Sequence, residues 1–85
     1  MEIKYSITNY FEKNNLFKDN RSDGIIIKNE NNIITIDGSQ RDLIELADII
    51  VNLAISKENK NHIHIDDLTL INTKSEIKEI IIEKE

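Results

Sequence analysis

The feature that most constrains this chain is one long helical segment whose apolar surface is wider than a single packing partner needs. The spacing of apolar residues predicts a helix over about residues 40–56, with Ser39 or Gly38 as its cap. The polar side chains of this helix form one stripe, made of Arg41, Glu45, Asp48, Asn52 and Ser56. The apolar arc is about 240° wide, against the roughly 100° that packing on one sheet requires. A sheet alone therefore cannot cover this helix.

Two explanations of the wide arc follow from the sequence. The polar segment 9–24, predicted to be a long loop that can include a helical turn or a short helix, could fold over the flank of the helix. Its plugging side chains would be Phe11, Leu16 and Phe17. Alternatively, part of the helix could contact another chain, either a second copy or a different protein. The residues at that contact would be Ile44, Val51 and Ile55.

Strand-like patterns lie on both sides of the helix. Residues 2–8 alternate between apolar and polar side chains, which predicts a half-buried first strand. The β-branched runs 25–27 and 33–36 are separated by turn-forming residues and predict a hairpin. Residues 62–66 alternate again and predict a fourth strand. Residues 75–85 are interpreted as a fifth strand because they hold three consecutive isoleucines, although a capping-box pattern before them would suit a helix.

The resulting order, βββαββ, predicts an α+β fold in a single small domain over residues 1–85. Its mainly antiparallel sheet would have about four to five strands, with the long helix packed on one face. Ile63 and Ile65 would point to that helix, so His62, His64 and Asp66 would lie on the opposite, polar face of the sheet.

Composition excludes several function classes. The chain has no cysteine, so a disulfide scaffold, a thiolate zinc site and a cysteine nucleophile are impossible. Its formal charge of −5 disfavours binding to nucleic acid, because phosphates would be repelled. No apolar run approaches the ~18 residues that span a bilayer, and the amino terminus lacks the pattern of a secretion signal. We therefore expect a cytoplasmic protein that binds neither nucleic acid nor membrane.

The pattern His62-x-His64-x-Asp66 is the one cluster with metal-ligand residue types at an orderly spacing. Alternate positions on a strand would place both imidazoles within reach of one ion. Zinc sites, however, need three or four protein ligands, and no further ligand is marked. We expect no metal and no cofactor. Ser39 is interpreted as a helix cap rather than a nucleophile, because no Gly-x-Ser-x-Gly motif surrounds it, and no enzyme activity is expected.

The carboxylates of the helix suggest an electrostatic surface. Asp42 lies near its start, and Glu45 and Asp48 lie on its polar stripe. Such a surface could attract a basic protein. The alternative is an ordinary solvated helix face on which Arg41 pairs with Glu45.

The second half of the chain resembles small immunity proteins of bacterial polymorphic toxin systems, and is most similar to the immunity family numbered thirty-two. The resemblance covers about residues 33–83, roughly three-fifths of the chain. It is carried by GSQRDLIELA at 38–47, Leu53-Ala54, HIHID at 62–66, Ser75-Glu76 and the terminal isoleucine-rich strand.

This resemblance implies a non-catalytic cytoplasmic protein that binds and occludes a cognate toxin domain, which would be basic if it were a nuclease. The residues expected to contact it are Asp42, Glu45, Asp48, Tyr10, Phe11, Phe17, His62, His64 and Asp66. The aromatic residues among them would be anchors, unless they plug the core instead. The alternative function is a homo-oligomeric structural or regulatory domain, whose helix packs against its own copy.

Overall fold

The computed structural model describes residues 6–57 and 61–85 of the 85-residue chain. Its elements are α1 (Ile7–Lys13), β1 (Ile26–Glu30), β2 (Ile33–Asp37), α2 (Gln40–Ile55), β3 (His62–Asp66) and β4 (Glu79–Glu83). The α+β class is therefore confirmed. Among the described residues the order is αββαββ, with two helices rather than one.

The prediction of a strand over residues 2–8 is wrong for its described end. Ser6 caps α1, and its hydroxyl oxygen accepts a hydrogen bond from the backbone N–H of Asn9 at 3.1 Å. Ile7 and Thr8 consequently form the first turn of a helix. The remainder of the predicted strand, residues 2–5, lies outside the described residues. The first part of segment 9–24 lies in α1, which is the helical alternative for this segment. A cap at Ser6 satisfies a backbone donor that a strand would leave to a neighbour.

The predicted hairpin is confirmed. β1 and β2 pair antiparallel, and Glu30 faces Ile33 next to the connection. Asn31 and Asn32 form that connection with φ angles of 51° and 66°. Positive φ at both positions is the geometry of a type I′ turn, which asparagine tolerates and whose twist matches that of the strands.

The two predicted strands after α2 are also confirmed. β3 occupies residues 62–66 as expected, and β4 lies within the predicted range 75–85. The two strands pair antiparallel, with His64 opposite Ile81. Ile65 is buried while His62 and His64 are exposed, so the predicted alternation of faces holds.

The strands do not form one sheet of four to five members, and this prediction is corrected. β1–β2 and β3–β4 are separate two-stranded sheets. Ile25, just before β1, donates to the carbonyl of Leu70 and accepts from the N–H of Asn72, both at 2.8 Å. Two residues later, the backbone N–H of Ile27 donates to a side chain, the hydroxyl of Ser75, at 2.8 Å. The carbonyl of Ile27 accepts from the N–H of Ile77 at 3.5 Å, so isolated bonds rather than a continuous ladder join β1 to the segment 70–77.

The core lies where these two sheets meet. Its buried side chains are Ile25, Ile27, Ile65, Leu70 and Ile71. α2 packs Leu46 and Ile49 against this cluster. Within residues 6–57 and 61–85, no helix has the length and apolar character to cross a membrane.

Candidate partner-binding surface

The polar stripe of α2 faces α1 rather than open water. The carboxylate of Asp48 accepts the N–H groups of Ile7 at 2.6 Å and Thr8 at 2.9 Å. It also accepts the hydroxyl of Thr8 at 2.5 Å. These are the first amides of α1, which have no partner within that helix, and the carboxylate lies at the positive end of its dipole. Asp48 therefore holds α1 against α2, and its predicted place on an open acidic stripe is corrected.

Arg41 connects the polar stripe of α2 both to α1 and to the segment that follows α1. Its Nε donates to Glu45 at 3.1 Å, and its guanidinium also bonds Glu12. The guanidinium carbon lies 5.0 Å from the ring centroid of Phe17, a cation–π arrangement. The hydrogen bond to Glu12 is the main reason that the pKa of Arg41 is raised above its ordinary value. Glu45 is therefore half-buried and paired within the chain, as the alternative interpretation of this helix face expected.

Asp42 is an internal cap, and its placement on an exposed acidic surface is corrected. Only 1% of its surface is exposed. One carboxylate oxygen accepts from the N–H and hydroxyl of Ser39, which in turn caps α2. The other accepts from the N–H of Gly24 at 3.2 Å. The predicted role of Ser39 as the cap is thus observed, as one half of a capping box.

The aromatic residues divide between a plug and the surface. The rings of Phe11 and Phe17 are half-buried, with centroids 5.3 Å apart. They lie on the Arg41 side of α2, so these two rings cover the polar flank of the helix. Tyr10, in contrast, is exposed, and its ring lies edge-on to that of Phe11 with the two centroids 6.5 Å apart. Of the predicted aromatic anchors, only Tyr10 presents most of its surface to water.

The histidine pair stands on the outer face of β3. The rings of His62 and His64 are exposed and lie 5.1 Å apart, and Nδ1 of His64 is 3.6 Å from a carboxylate oxygen of Glu79. Asp66 does not join them, because its carboxylate accepts the N–H of Leu68 in the following turn. In the described part of the chain, no three histidine or acidic side chains form a group able to hold a metal ion.

The apolar arc of α2 opens to water between its two packed sides. Leu43, Ile50 and Ile55 each keep 43–47% of their surface exposed, and we call them the open face of α2. Their positions on the helix explain this exposure: Leu46 packs toward the core on one side, and Asp48 meets α1 on the other. The exposure of α2 is therefore partly the reverse of the prediction, because polar side chains are covered and apolar side chains are exposed.

A second group of exposed apolar side chains lies on β2. Ile33, Ile34 and Ile36 are exposed over 41–65% of their surfaces. Gly38 connects β2 to α2, and a β-carbon built on it would lie 3.5 Å from the side chain of Leu43. Of the side chains predicted to contact another chain, Ile55 is exposed, whereas Ile44 and Val51 are half-buried. The sequence did not indicate the exposure of the β2 isoleucines, because a hairpin strand is normally assigned one buried face.

A shallow acidic cleft lies on another side of the molecule. It encloses about 280 Å³ between the loop before β1, α2 and the turn after β3. Its carboxylates include those of Asp23, Glu45 and Asp67. Asp23 and Asp67 come from distant parts of the chain, so no local spacing in the sequence could have grouped them.

No protein-family model, curated protein or solved structure matches this chain. The resemblance to immunity proteins therefore stays a prediction from the sequence. The surface of the chain combines exposed aliphatic side chains with an acidic cleft.

Proposed function

We propose that this chain is a non-catalytic binding protein that neutralises a cognate toxin domain by occluding it. The observation that supports the proposal is the open face of α2, where Leu43, Ile50 and Ile55 remain exposed in a chain whose residues are 32% charged. Large apolar side chains exposed on a helix of a soluble protein are typical of interaction surfaces.

The energy available at this face requires help from other contacts. Burying the exposed half of an aliphatic side chain contributes roughly 1 kcal/mol. Three such side chains therefore contribute a few kcal/mol, below the roughly 4–15 kcal/mol that association costs in lost freedom of motion. A tight complex consequently needs further anchors, and the exposed ring of Tyr10 is one candidate.

Charge supplies the second component of the proposal. The net charge of −5 and the acidic cleft favour a basic partner, such as a nuclease domain whose own surface binds phosphate. The charge contribution is best tested at Asp23 and Asp67, which are exposed, because Asp42 and Asp48 hold the fold together. Replacing both with Asn should slow association with the partner and weaken its salt dependence.

The charge experiment needs a control with the same change in net charge. Glu76 and Glu83 are exposed and lie outside the cleft, so the double Gln variant serves that purpose. Equal effects of the two double variants would mean that net charge alone acts and that the cleft has no special role.

The first test of the function itself is growth of cells that express the carboxy-terminal domain of the protein encoded immediately upstream. We expect that domain to arrest growth and this chain to restore it. Ile50→Glu should abolish the rescue, because a charge in the open face must be desolvated on binding. A domain that is harmless, or that kills equally with and without this chain, would refute the pairing.

Ile81→Glu is the matched control for Ile50→Glu. Ile81 is the same residue type, 50% exposed, and lies on β4. Both variants must remain folded by circular dichroism and accumulate to equal levels. Loss of rescue with both would indicate a general effect of the substitution, whereas full rescue with Ile50→Glu would remove the open face from the interface.

A further inference from the structure

We infer that β2 is a pairing edge for a second copy of this chain, so that two hairpins join antiparallel into one four-stranded sheet. This inference concerns the backbone edge of β2 and does not rest on the proposed function. It begins with the backbone: β2 pairs with β1 on one side only, and no backbone hydrogen bond of the described residues reaches its other edge.

The register fixes which backbone groups are free at that edge. The two-residue turn makes Glu30 and Ile33 the hydrogen-bonded pair that closes the hairpin. Bonded and non-bonded pairs alternate from there, so Thr35 also bonds toward β1. Ile34 and Ile36 are the non-bonded positions, and their N–H and C=O groups point away from β1.

A two-fold axis through Thr35 uses those free groups. Ile34 of one copy then faces Ile36 of the other, and Ile36 faces Ile34, so each pair can exchange two hydrogen bonds. Thr35 faces its own counterpart as a non-bonded pair. The same axis brings the four isoleucine side chains together on one face of the sheet, because residues two apart on a strand share a face.

The charge pattern of β2 favours a second copy, rather than a basic protein, as the partner at this edge. Edge strands normally carry charged residues or proline that prevent pairing, yet residues 33–36 are Ile-Ile-Thr-Ile, and Asp37 is the only charge in β2. Two copies can therefore approach along this edge without bringing like charges face to face at its centre. A basic partner would find few carboxylates there and would be drawn to the acidic cleft instead.

The area at this edge fits a weak dimer. Ile34 and Ile36 are about half exposed and share one face, whereas Ile33 lies on the opposite face, so two copies would bury a small apolar area at this edge. The total is below the roughly 1,000 Å² of a stable specific interface. Dimerisation should consequently depend on protein concentration, and sedimentation velocity of the purified full chain over a wide concentration range should show monomer and dimer in exchange.

A single cysteine provides the decisive experiment, because the chain has none of its own. Thr35→Cys places two thiols directly across the proposed axis, at a Cβ separation of roughly 4.5–5.5 Å, close to what a disulfide needs. Lys28→Cys is the matched control, since Lys28 pairs with Thr35 and is exposed one strand further in. Its counterpart would be three strand spacings away, roughly 14 Å, beyond the reach of a disulfide.

We expect Thr35→Cys to form a covalent dimer in a glutathione redox buffer at least tenfold faster than Lys28→Cys. Ile34→Lys should raise the dissociation constant of the dimer at least tenfold, whereas Ile81→Lys on β4 should leave it unchanged. Circular dichroism verifies that each variant is folded. Thr35→Cys is small and conservative, so the cross-linking result stands even where a lysine variant unfolds.

Two outcomes would overturn the inference. One is a chain that stays monomeric at every concentration and cross-links equally slowly at both positions. The other is a dimer that forms without cross-linking through Thr35→Cys, which would place the contact elsewhere, for instance on the open face of α2. The growth rescue is measured in a separate experiment, so failure of the dimer and failure of the toxin pairing remain distinguishable.

Discussion

Removing the carboxylate of Asp48 should detach α1 while leaving the rest of the fold in place. α1 has only seven residues, and none of them is buried. A helix of this length is marginal in water on its own. Its attachment therefore depends on the bonds from Ile7 and Thr8 to Asp48, together with the packing of Phe11.

The expected magnitude follows from those bonds. A hydrogen bond to a charged group contributes roughly 1.5–3 kcal/mol. The three bonds are not additive, because α1 regains water as a partner once it detaches. We expect Asp48→Ala to destabilise the docked helix by about 2 kcal/mol, close to the upper value for loss of a helix cap. Asp48→Asn keeps one acceptor oxygen and should cost about half as much.

Amide hydrogen exchange measures this effect locally. The N–H groups of Asn14 and Leu16 bond to carbonyls of α1 at 3.1 and 2.9 Å, so their exchange reports on that helix. A loss of 2 kcal/mol corresponds to an increase in their exchange rate of roughly 30-fold. The buried amide of Ile27 should keep its protection.

Asp67→Ala is the control, because Asp67 is exposed in the turn after β3 and lies outside the contact between the helices. It should leave the exchange of Asn14 and Leu16 unchanged. Protection of these two amides that survives Asp48→Ala would refute the argument, since it would show that packing alone holds α1. Equal acceleration of Ile27 would show instead that α1 and the core unfold as one unit.

Two further predictions concern a buried hydroxyl and an exposed ion pair. Ser75→Ala should lower the free energy of unfolding in urea by about 1–3 kcal/mol, because the buried N–H of Ile27 loses its acceptor; a change under roughly 0.5 kcal/mol would contradict this. The hydrogen bond from Arg21 lowers the pKa of Asp19 from 3.8 to about 2, so the pair favours the folded loop above pH 3.8 and loses its effect as the pH falls through about 2. Arg21→Gln should return the pKa of Asp19 toward 3.8 in an NMR titration, and an unchanged pKa would exclude Arg21 as the cause.

The candidate surface was only partly predicted, because the sequence does not specify which elements pack against α2. The width of the apolar arc on α2 predicted a cover beyond the sheet, whereas Leu43, Ile50 and Ile55 remain exposed in the structure. It did not indicate which part of the arc would stay open, because that depends on where α1 docks. Asp48 fixes this position by accepting bonds from Ile7 and Thr8, some forty residues away in the chain. Long-range hydrogen bonds of this kind leave no periodic signal in the sequence.

The sequence by itself determined the elements whose causes are local. Alternation sets β3, the Asn31-Asn32 turn sets the hairpin, and the cap at Ser39 begins α2. Only the tertiary structure decided that the strands form two sheets and that the polar stripe of α2 is covered. The physical reason is that local patterns restrict the dihedral angles of neighbouring residues, whereas exposure depends on which distant groups satisfy one another. The contact between Ser75 and Ile27 illustrates this, since the acceptor for the backbone N–H of Ile27 is a hydroxyl 48 positions away in the chain.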